Sequence, residues 1–169
     1  MNSIILDENK DFLIIGSSGQ EKQLTQNIVD KYNSIAINRT DFNVDIIFRV
    51  DRPKLSKQDF SKCRYFLTHQ DYKKQYDNDK CRFFDSEYKI ISKSFPVLGC
   101  FRFSVTAALN FIAIIRPQAN VYLVGIDHSK GRYKDPTVKR FIERYKDLLN
   151  IYQTDFDSKG WNIEYKEIK

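Results

Sequence analysis

A carboxylate and an imidazole follow each other directly at the end of an apolar run. Residues 121–128 read VYLVGIDH, so the run delivers Gly125, Asp127 and His128 to the segment after it. Strands of open α/β sheets present their carboxyl ends to the ligand crevice, so a strand here would bring these three residues to that edge. An imidazole beside a carboxylate suits general acid–base chemistry near neutral pH. We therefore predict a catalytic role for His128 and Asp127 and a ligand contact for Gly125.

Structural interpretations of the same residues stay open. His128 also fits a helix cap or an ordinary loop position, and Asp127 also fits an acceptor that holds the loop through backbone N–H groups. Residues 129–134 (SKGRYK) then form a basic segment. Arg132 in this segment is predicted to hold an anionic substrate, because a guanidinium pairs well with phosphate or carboxylate, with a solvated turn as the alternative.

A second candidate site lies near the start of the chain. The apolar run 12–15 ends in Gly16, Ser17, Ser18 and Gly19. A small-residue loop between a strand and a helix can offer backbone N–H groups and hydroxyls to a phosphate. The loop lacks the lysine of a P-loop and the three-glycine spacing of a dinucleotide fingerprint, so an ordinary strand-to-helix turn is the competing interpretation.

Asn38 ends the next β-rich run, at residues 34–38. Dinucleotide enzymes more often place an acid at this strand end for the ribose hydroxyls, but an amide can also bond a base or a sugar. The alternative is a simple turn at Asn38.

Cysteine and histidine usage does not favour a metal site. The two histidines, His69 and His128, belong to no compact metal-binding motif, and the three cysteines form no C-x-x-C pair. This pattern disfavours a disulfide framework and a cysteine zinc site, and it fits a reducing, cytoplasmic setting. The first residues also lack the pattern of a signal peptide or of a membrane span.

The alternation of apolar runs and amphipathic segments predicts the fold. Strands are expected at 11–15, 34–38, 44–50 and 121–124, two short strands between 55 and 93, and an edge strand at 161–165. Helices are expected at 20–32, 104–116 and 137–152. Strands that alternate with helices predict an α/β, Rossmann-like three-layer sandwich with a mainly parallel sheet, and residues 1–169 are predicted to be a single domain.

The charge balance favours anionic partners only moderately. Lysine and arginine outnumber aspartate and glutamate by 28 to 22, but the two signs are interleaved along most of the chain. A solvated, salt-bridged surface explains this pattern better than a dedicated nucleic-acid stripe, so nucleic acid is the less favoured partner. The aromatic-rich middle segment offers a surface for a homo-oligomer.

Several segments together resemble a known family. Residues 12–19 (FLIIGSSG), 36–38 (AIN) and 121–128, with an apolar helix that starts near Ser104 and Thr106, resemble bacterial sialyltransferases of glycosyltransferase family 42 and related uncharacterised Rossmann-like proteins. The resemblance spans most of the chain in pieces. The helix followed by YLVGID is its most specific part, whereas the first loop departs from the family's G-x-G-P-S form.

The resemblance implies a CMP-sugar or similar donor, bound as substrate, and no further cofactor. The donor-contacting positions of the family map onto Gly16, Ser17, Ser18, Asn38, and Ser104 or Thr106. In that family the histidine base stands in a long lid after the GID strand. Here about ten residues separate Asp127 from the next predicted helix, so His128 is the candidate replacement.

Three functions follow as hypotheses. The first is a nucleotide-sugar-dependent glycosyltransferase that acts on a glycan acceptor, with His128 as the base. The second is a non-catalytic nucleotide-binding or interaction protein of the same fold. The third is a nucleic-acid-associated modifying protein, whose affinity would fall steeply with salt.

Overall fold

The computed structural model describes residues 4–50, 58–76, 78–84, 104–127, 136–154 and 163–168. Within these residues eight strands form one sheet: β1 Phe12–Ile15, β2 Asn33–Ile37, β3 Val44–Arg49, β4 Cys63–His69, β5 Cys81–Phe84, β6 Asn120–Val124, β7 Asn150–Gln153 and β8 Glu164–Tyr165. The α-helices of the described residues are α1 Gln26–Val29, α2 Ser104–Ile115 and α3 Pro136–Tyr145, and two 3₁₀ helices span Gln20–Gln23 and Gln70–Gln75.

The strand order is β5-β4-β3-β2-β1-β6-β7-β8, and all the pairings are parallel. The chain adds β2 to β5 on one side of β1 and then returns to add β6 to β8 on the other side. The order therefore reverses between β1 and β6, and Ile15 pairs with Ala36 on one side and with Val124 on the other. The predicted α/β, Rossmann-like sandwich with a parallel sheet is confirmed.

Both faces of the sheet are buried, which explains the continuous apolar runs of its central strands. In β1, Phe12 and Ile14 join the core on the face that α2 and α3 cover. Leu13 joins the core on the other face, which α1 helps to cover. Because these side chains are almost fully buried, each contributes about 1.5–3 kcal/mol to stability.

Helix α2 is the most deeply buried helix in the described residues, with its first ten residues buried in succession. The helix ends before Pro117, as predicted, since proline cannot continue the hydrogen-bond ladder. Arg116 then fixes this end: its guanidinium donates to the carbonyls of Lys10 at 2.7 Å and Asp7 at 2.9 Å and lies 4.9 Å from the Phe12 ring centre. Lys10 and Asp7 precede β1 and lie at the amino side of the sheet. The other end of α2, its start, therefore lies at the carboxyl side.

The prediction of one continuous helix over residues 20–32 is wrong. The structure has a 3₁₀ turn at Gln20–Gln23, an extended Leu24 and then the short helix α1. Thr25 is the reason, because it takes an extended conformation and its side chain caps the N–H of Ile28, a role that threonine favours over a helix interior. Of the residues at four-residue spacing that predicted the helix, Leu24 is buried, whereas Ile28 and Tyr32 are partly buried and pack against the same core.

The helix predicted to continue to residue 152 is also wrong at its end. Helix α3 ends at Tyr145, where the N–H groups of Leu148 and Leu149 close a turn on the Tyr145 carbonyl. Residues Asn150–Gln153 then form β7, with Ile151 opposite Val121. The apolar pair at 148–149 continues the helical period, so the sequence pattern hides this boundary. The edge strand expected at 161–165 appears as β8, and residues 161–162 lie outside the described residues.

No helix in the described part of the chain is long and apolar enough to span a membrane.

Candidate functional site

The candidate site begins where the strand order reverses, at the carboxyl ends of β1 and β6. We call this place the switch point. Gly16 follows β1 and Gly125 follows β6, and the two residues are in contact: the Gly16 N–H donates to the Val124 carbonyl at 2.7 Å, and the Ser18 N–H donates to the Gly125 carbonyl at 2.9 Å. In open α/β sheets ligands bind at such a reversal. The structure thus brings the two glycines predicted at 16 and 125 together.

Both glycines are required by this contact. A Cβ atom on Gly16 would lie 2.2 Å from the Gly125 carbonyl oxygen. Gly125 itself has φ 67, which residues with a side chain rarely adopt. The first demonstrated role of these glycines is therefore the close approach of two strand ends.

The side chain of Glu21, which the sequence did not suggest as a site residue, is bonded to the loop at residues 16–19. The Glu21 carboxylate accepts a hydrogen bond from the Gly19 N–H at 2.7 Å. The same Oε2 atom would lie 2.8 Å from a Cβ placed on Gly125. An acid in the first turn after a glycine is the sequence signal for such a contact, because carboxylates favour the amino end of a helix.

Glu21 bears directly on the expected phosphate contact. Its negative charge lies beside the N–H group that would bind a phosphate, so an anionic ligand at Gly19 has to displace it. Ser17 is exposed and Ser18 is half-buried, which places both at the rim of the loop. The strand-to-loop part of the prediction is confirmed, whereas the long helix expected behind the loop is replaced by a 3₁₀ turn.

Asn38 and Ser104 form the second part of the site. Asn38 directly follows β2 and has φ 69, a conformation that asparagine tolerates better than most residues. The Ser104 hydroxyl donates to Asn38 Oδ1 at 3.3 Å and accepts from the Val50 N–H at 3.2 Å. Ser104 therefore joins the ends of β2 and β3 to the start of α2. With Oδ1 engaged by Ser104, the amide nitrogen is the remaining hydrogen-bonding group of the Asn38 side chain.

Thr106 and Asp127 are more deeply placed than the sequence suggested. Thr106 is 3% exposed, and two positions along a helix turn it about 200° from Ser104. Of the two alternatives at this helix, the structure brings Ser104 to Asn38. Asp127 is 2% exposed and takes part in interactions within the chain. A carboxylate this buried needs partners inside the protein, which favours the alternative that it holds the loop.

The remaining candidate residues are His69, His128 and Arg132. His128 and Arg132 lie outside the described residues. His69, at the end of β4, packs edge-on against the rings of Tyr72 and Phe84, at 6.5 and 5.6 Å. Since β4 is three strands from β1, His69 lies about 14 Å across the sheet from the switch point. In the described ranges no three His, Cys, Asp or Glu residues are grouped so as to hold a metal ion.

The fold and the switch point define the class as an α/β protein with a Rossmann-like, parallel sheet. In comparisons with known proteins, no family model, no curated protein and no solved structure matches this chain. The resemblance to glycosyltransferase family 42 is therefore carried by the sequence motifs alone.

Proposed function

We propose that this protein binds a nucleotide-sugar at the switch point and acts as a glycosyltransferase. The main support for this proposal is the reversal of strand order between β1 and β6, where Gly16 and Gly125 are in contact at the strand ends. The sequence resemblance to family 42 adds the substrate class, a CMP-sugar or similar donor, as in sialyltransferases. The donor is consumed as a substrate, and the proposal includes no other cofactor.

The proposal gives each part of the site a task. The Ser17 and Ser18 hydroxyls bind the donor phosphate together with Arg132, and the Gly19 N–H joins them once the phosphate displaces Glu21. The Asn38 amide, positioned by Ser104 at 3.3 Å, bonds the nucleoside. The loop after β1 and Asn38 after β2 lie at the same carboxyl edge of the sheet, so a ligand that lies across this edge can contact both.

In the proposed reaction His128 acts as the general base. It takes the proton from a hydroxyl of the glycan acceptor while that oxygen bonds to the anomeric carbon of the donor sugar. The bond from this carbon to the nucleotide phosphate breaks, and the nucleotide leaves with the electron pair. Buried Asp127, next in sequence, positions the loop that carries the base.

A cytoplasmic setting is part of the proposal. Cys63 and Cys81, the cysteines within the described residues, are buried free thiols. Burial raises the pKa of both thiols, that of Cys81 to about 11, so they stay protonated and unreactive at neutral pH. Free thiols are ordinary in a reducing compartment.

Nucleotide binding without catalysis is the second candidate function. Glu21 favours it, because a carboxylate on the Gly19 N–H lowers the affinity for an anionic donor. In this alternative the switch point binds a nucleoside or a weakly charged nucleotide, and His128 has no chemical task.

The first experiment is calorimetric titration of the protein with CMP, CDP, UDP and a CMP-sugar. We expect selective binding of a cytidine ligand and at least tenfold weaker binding by Asn38→Gly, which removes the amide but tolerates the positive φ. Asn9→Ala, in an exposed turn at the amino side of β1, is the matched control and should bind like the wild type. Absence of binding for all four ligands would refute the nucleotide site.

A second measurement separates the two candidates. With the bound CMP-sugar, the release of CMP is followed for the wild type and for His128→Ala. Transfer predicts that His128→Ala keeps the ligand affinity and loses most of the turnover. If neither protein releases CMP in the presence of glycan acceptors, binding without catalysis is the correct function.

A further inference from the structure

A basic groove lies at the amino ends of the strands, whereas the switch point lies at their carboxyl ends. It is a cavity of about 500 Å³ at the amino ends of β3, β4 and β5. Its basic side chains are Lys62, Arg64, Lys80 and Arg82. Strand β4 has seven residues, so the groove lies about 20 Å along the strand from the carboxyl edge. The groove is therefore distinct from the candidate donor site.

The positive charges of the groove are only partly neutralised. Lys80 donates to the Phe60 carbonyl at 2.8 Å. Arg82 donates to the carbonyls of Asp79 and Cys81 at 2.7 and 2.9 Å. Carbonyl oxygens satisfy the N–H groups but carry no full charge, and among the described contacts neither cation pairs with a carboxylate. The Nε of Arg82 is buried, with no hydrogen-bond partner in the described residues.

Three carboxylates lie near the groove and offset part of its positive charge, and that of Asp59 interacts with both Lys62 and Lys80. Asp45 pairs with Arg64 at 2.9 Å. Asp59 accepts from the N–H and the hydroxyl of Ser61, at 2.8 and 2.6 Å. Asp79 is exposed at the wall. The four cations of the cavity thus stand against the three carboxylates of Asp45, Asp59 and Asp79, which leaves a net charge of +1.

Tyr65 orders the two guanidinium groups. Its ring centre lies 5.6 Å from the Arg64 guanidinium carbon and 5.4 Å from that of Arg82. Its hydroxyl accepts the N–H of Ile5 at 3.2 Å, which fixes the ring. Cation–π contacts of this kind restrict the arginines before any ligand arrives, so less side-chain entropy is lost on binding.

We propose that the basic groove is a second binding site, for a ligand with two or more consecutive phosphate groups. Guanidinium and ammonium groups are the side chains that bind phosphate most strongly. One residue separates Lys62 from Arg64 and Lys80 from Arg82, so the Cα atoms of each pair are about 6.5 Å apart in extended chain at the start of a strand. Two such pairs on neighbouring strands contact successive phosphates better than one isolated anion.

Consecutive phosphates occur in a nucleic-acid strand and in a small polyphosphate, and the test has one arm for each source. The probes are a fluorescein-labelled single strand of twelve thymidines, followed by anisotropy at 50 and 200 mM salt, and inorganic tripolyphosphate as the competitor. Binding of the strand without competition by stoichiometric tripolyphosphate identifies a strand site. Displacement by tripolyphosphate at such concentrations identifies a small polyphosphate as the ligand.

The matched variants are Lys62→Gln/Lys80→Gln in the groove and Lys73→Gln/Lys74→Gln on the exposed 3₁₀ helix after β4. Both remove two positive charges from the same chain. We expect at least tenfold weaker binding for the groove variant and less than twofold weakening for the control. The dependence of log affinity on log salt should flatten by about 1.4 in the groove variant, at about 0.7 per lost phosphate contact on a single strand.

Two results would overturn the proposal. One is equal weakening in the two double variants, which would mean that the general charge of the protein, rather than the groove, attracts the phosphates. The other is no binding of either probe at 50 mM salt. Thermal unfolding of each variant verifies that it is folded.

Discussion

Glu21 is the residue with the largest consequence for the proposed donor site. Its carboxylate takes the Gly19 N–H and lies against Gly125, so it occupies the space that the resemblance assigns to a donor phosphate. The residue types in the loop predicted an anion site, and the structure places an anion of the protein's own chain there. Sequence alone could not show this, because the contact depends on the fold of the loop around Gly19.

Glu21→Gln should raise the affinity for a phosphate-bearing ligand at the switch point. The amide retains the size of the carboxylate and loses its charge, so an incoming phosphate no longer meets a negative charge. We expect five- to twentyfold tighter CMP binding by calorimetry, which corresponds to about 1–2 kcal/mol. Glu143→Gln on α3 is the charge-matched control. Weaker binding by Glu21→Gln would instead make Glu21 a direct ligand contact.

Substitution by alanine should destabilise the protein at Gly16 but not at its neighbour Ser17. Gly16→Ala places a Cβ 2.2 Å from a backbone carbonyl, which forces β1 and β6 apart. Overpacking of this kind costs about 1–3 kcal/mol, so the urea midpoint should fall clearly. Ser17→Ala removes an exposed hydroxyl and should leave stability within about 0.5 kcal/mol. Equal stability of Gly16→Ala and the wild type would contradict the contact between the glycines.

At the scale of the element, the sequence predicted best where the burial pattern is uniform. The fully buried β1 and the ten buried residues of α2 were found from their apolar runs alone. Prediction failed at Thr25 and after Tyr145, where local hydrogen bonds rather than hydrophobic period decide the end of a helix. The family resemblance implied Ser104 or Thr106 at the start of α2, but the bond of Ser104 to Asn38 depends on the position of β2 beside that helix.

Tyr145, the last residue of α3, should make the protein less stable at alkaline pH. Burial raises the pKa of its phenol far above the ordinary value, and its hydroxyl has no hydrogen-bond partner among the described residues. The unfolded phenol ionises near pH 10, at about its usual pKa, and the folded one does not. The stabilising effect is therefore complete below about pH 10 and is lost progressively as pH rises above it.

Tyr145→Phe removes this titration. The variant should match or exceed the wild type in its free energy of unfolding at pH 7, because it deletes a buried hydroxyl without a partner. Between pH 9 and 11 its stability should fall less steeply than that of the wild type in urea titrations. Tyr165→Phe, at a phenol that is 43% exposed, should show the slope of the wild type. Identical slopes for all three proteins would exclude Tyr145 as the source.

At the scale of the whole molecule, the fold class could be predicted and the strand order could not. Alternating strands and helices imply a parallel sheet, but nothing in residues 120–124 states that this strand returns to pair with β1. The switch point and the basic groove both depend on that order. The groove was missed for the same reason: Lys62, Arg64, Lys80 and Arg82 are separated in sequence by a stretch of mixed charge and converge only when β4 and β5 pair.

The central position of β1 also has a consequence for the synthesis of this protein. Phe12 pairs with Val121, which is 109 positions later in the chain. Ribosomes add about 5–20 residues per second, so one edge of β1 has no partner for about 5–20 s after it is made. During this interval an apolar strand edge is open to pairing with other nascent chains. We therefore expect the nascent chain to be most prone to aggregation until β6 has been translated.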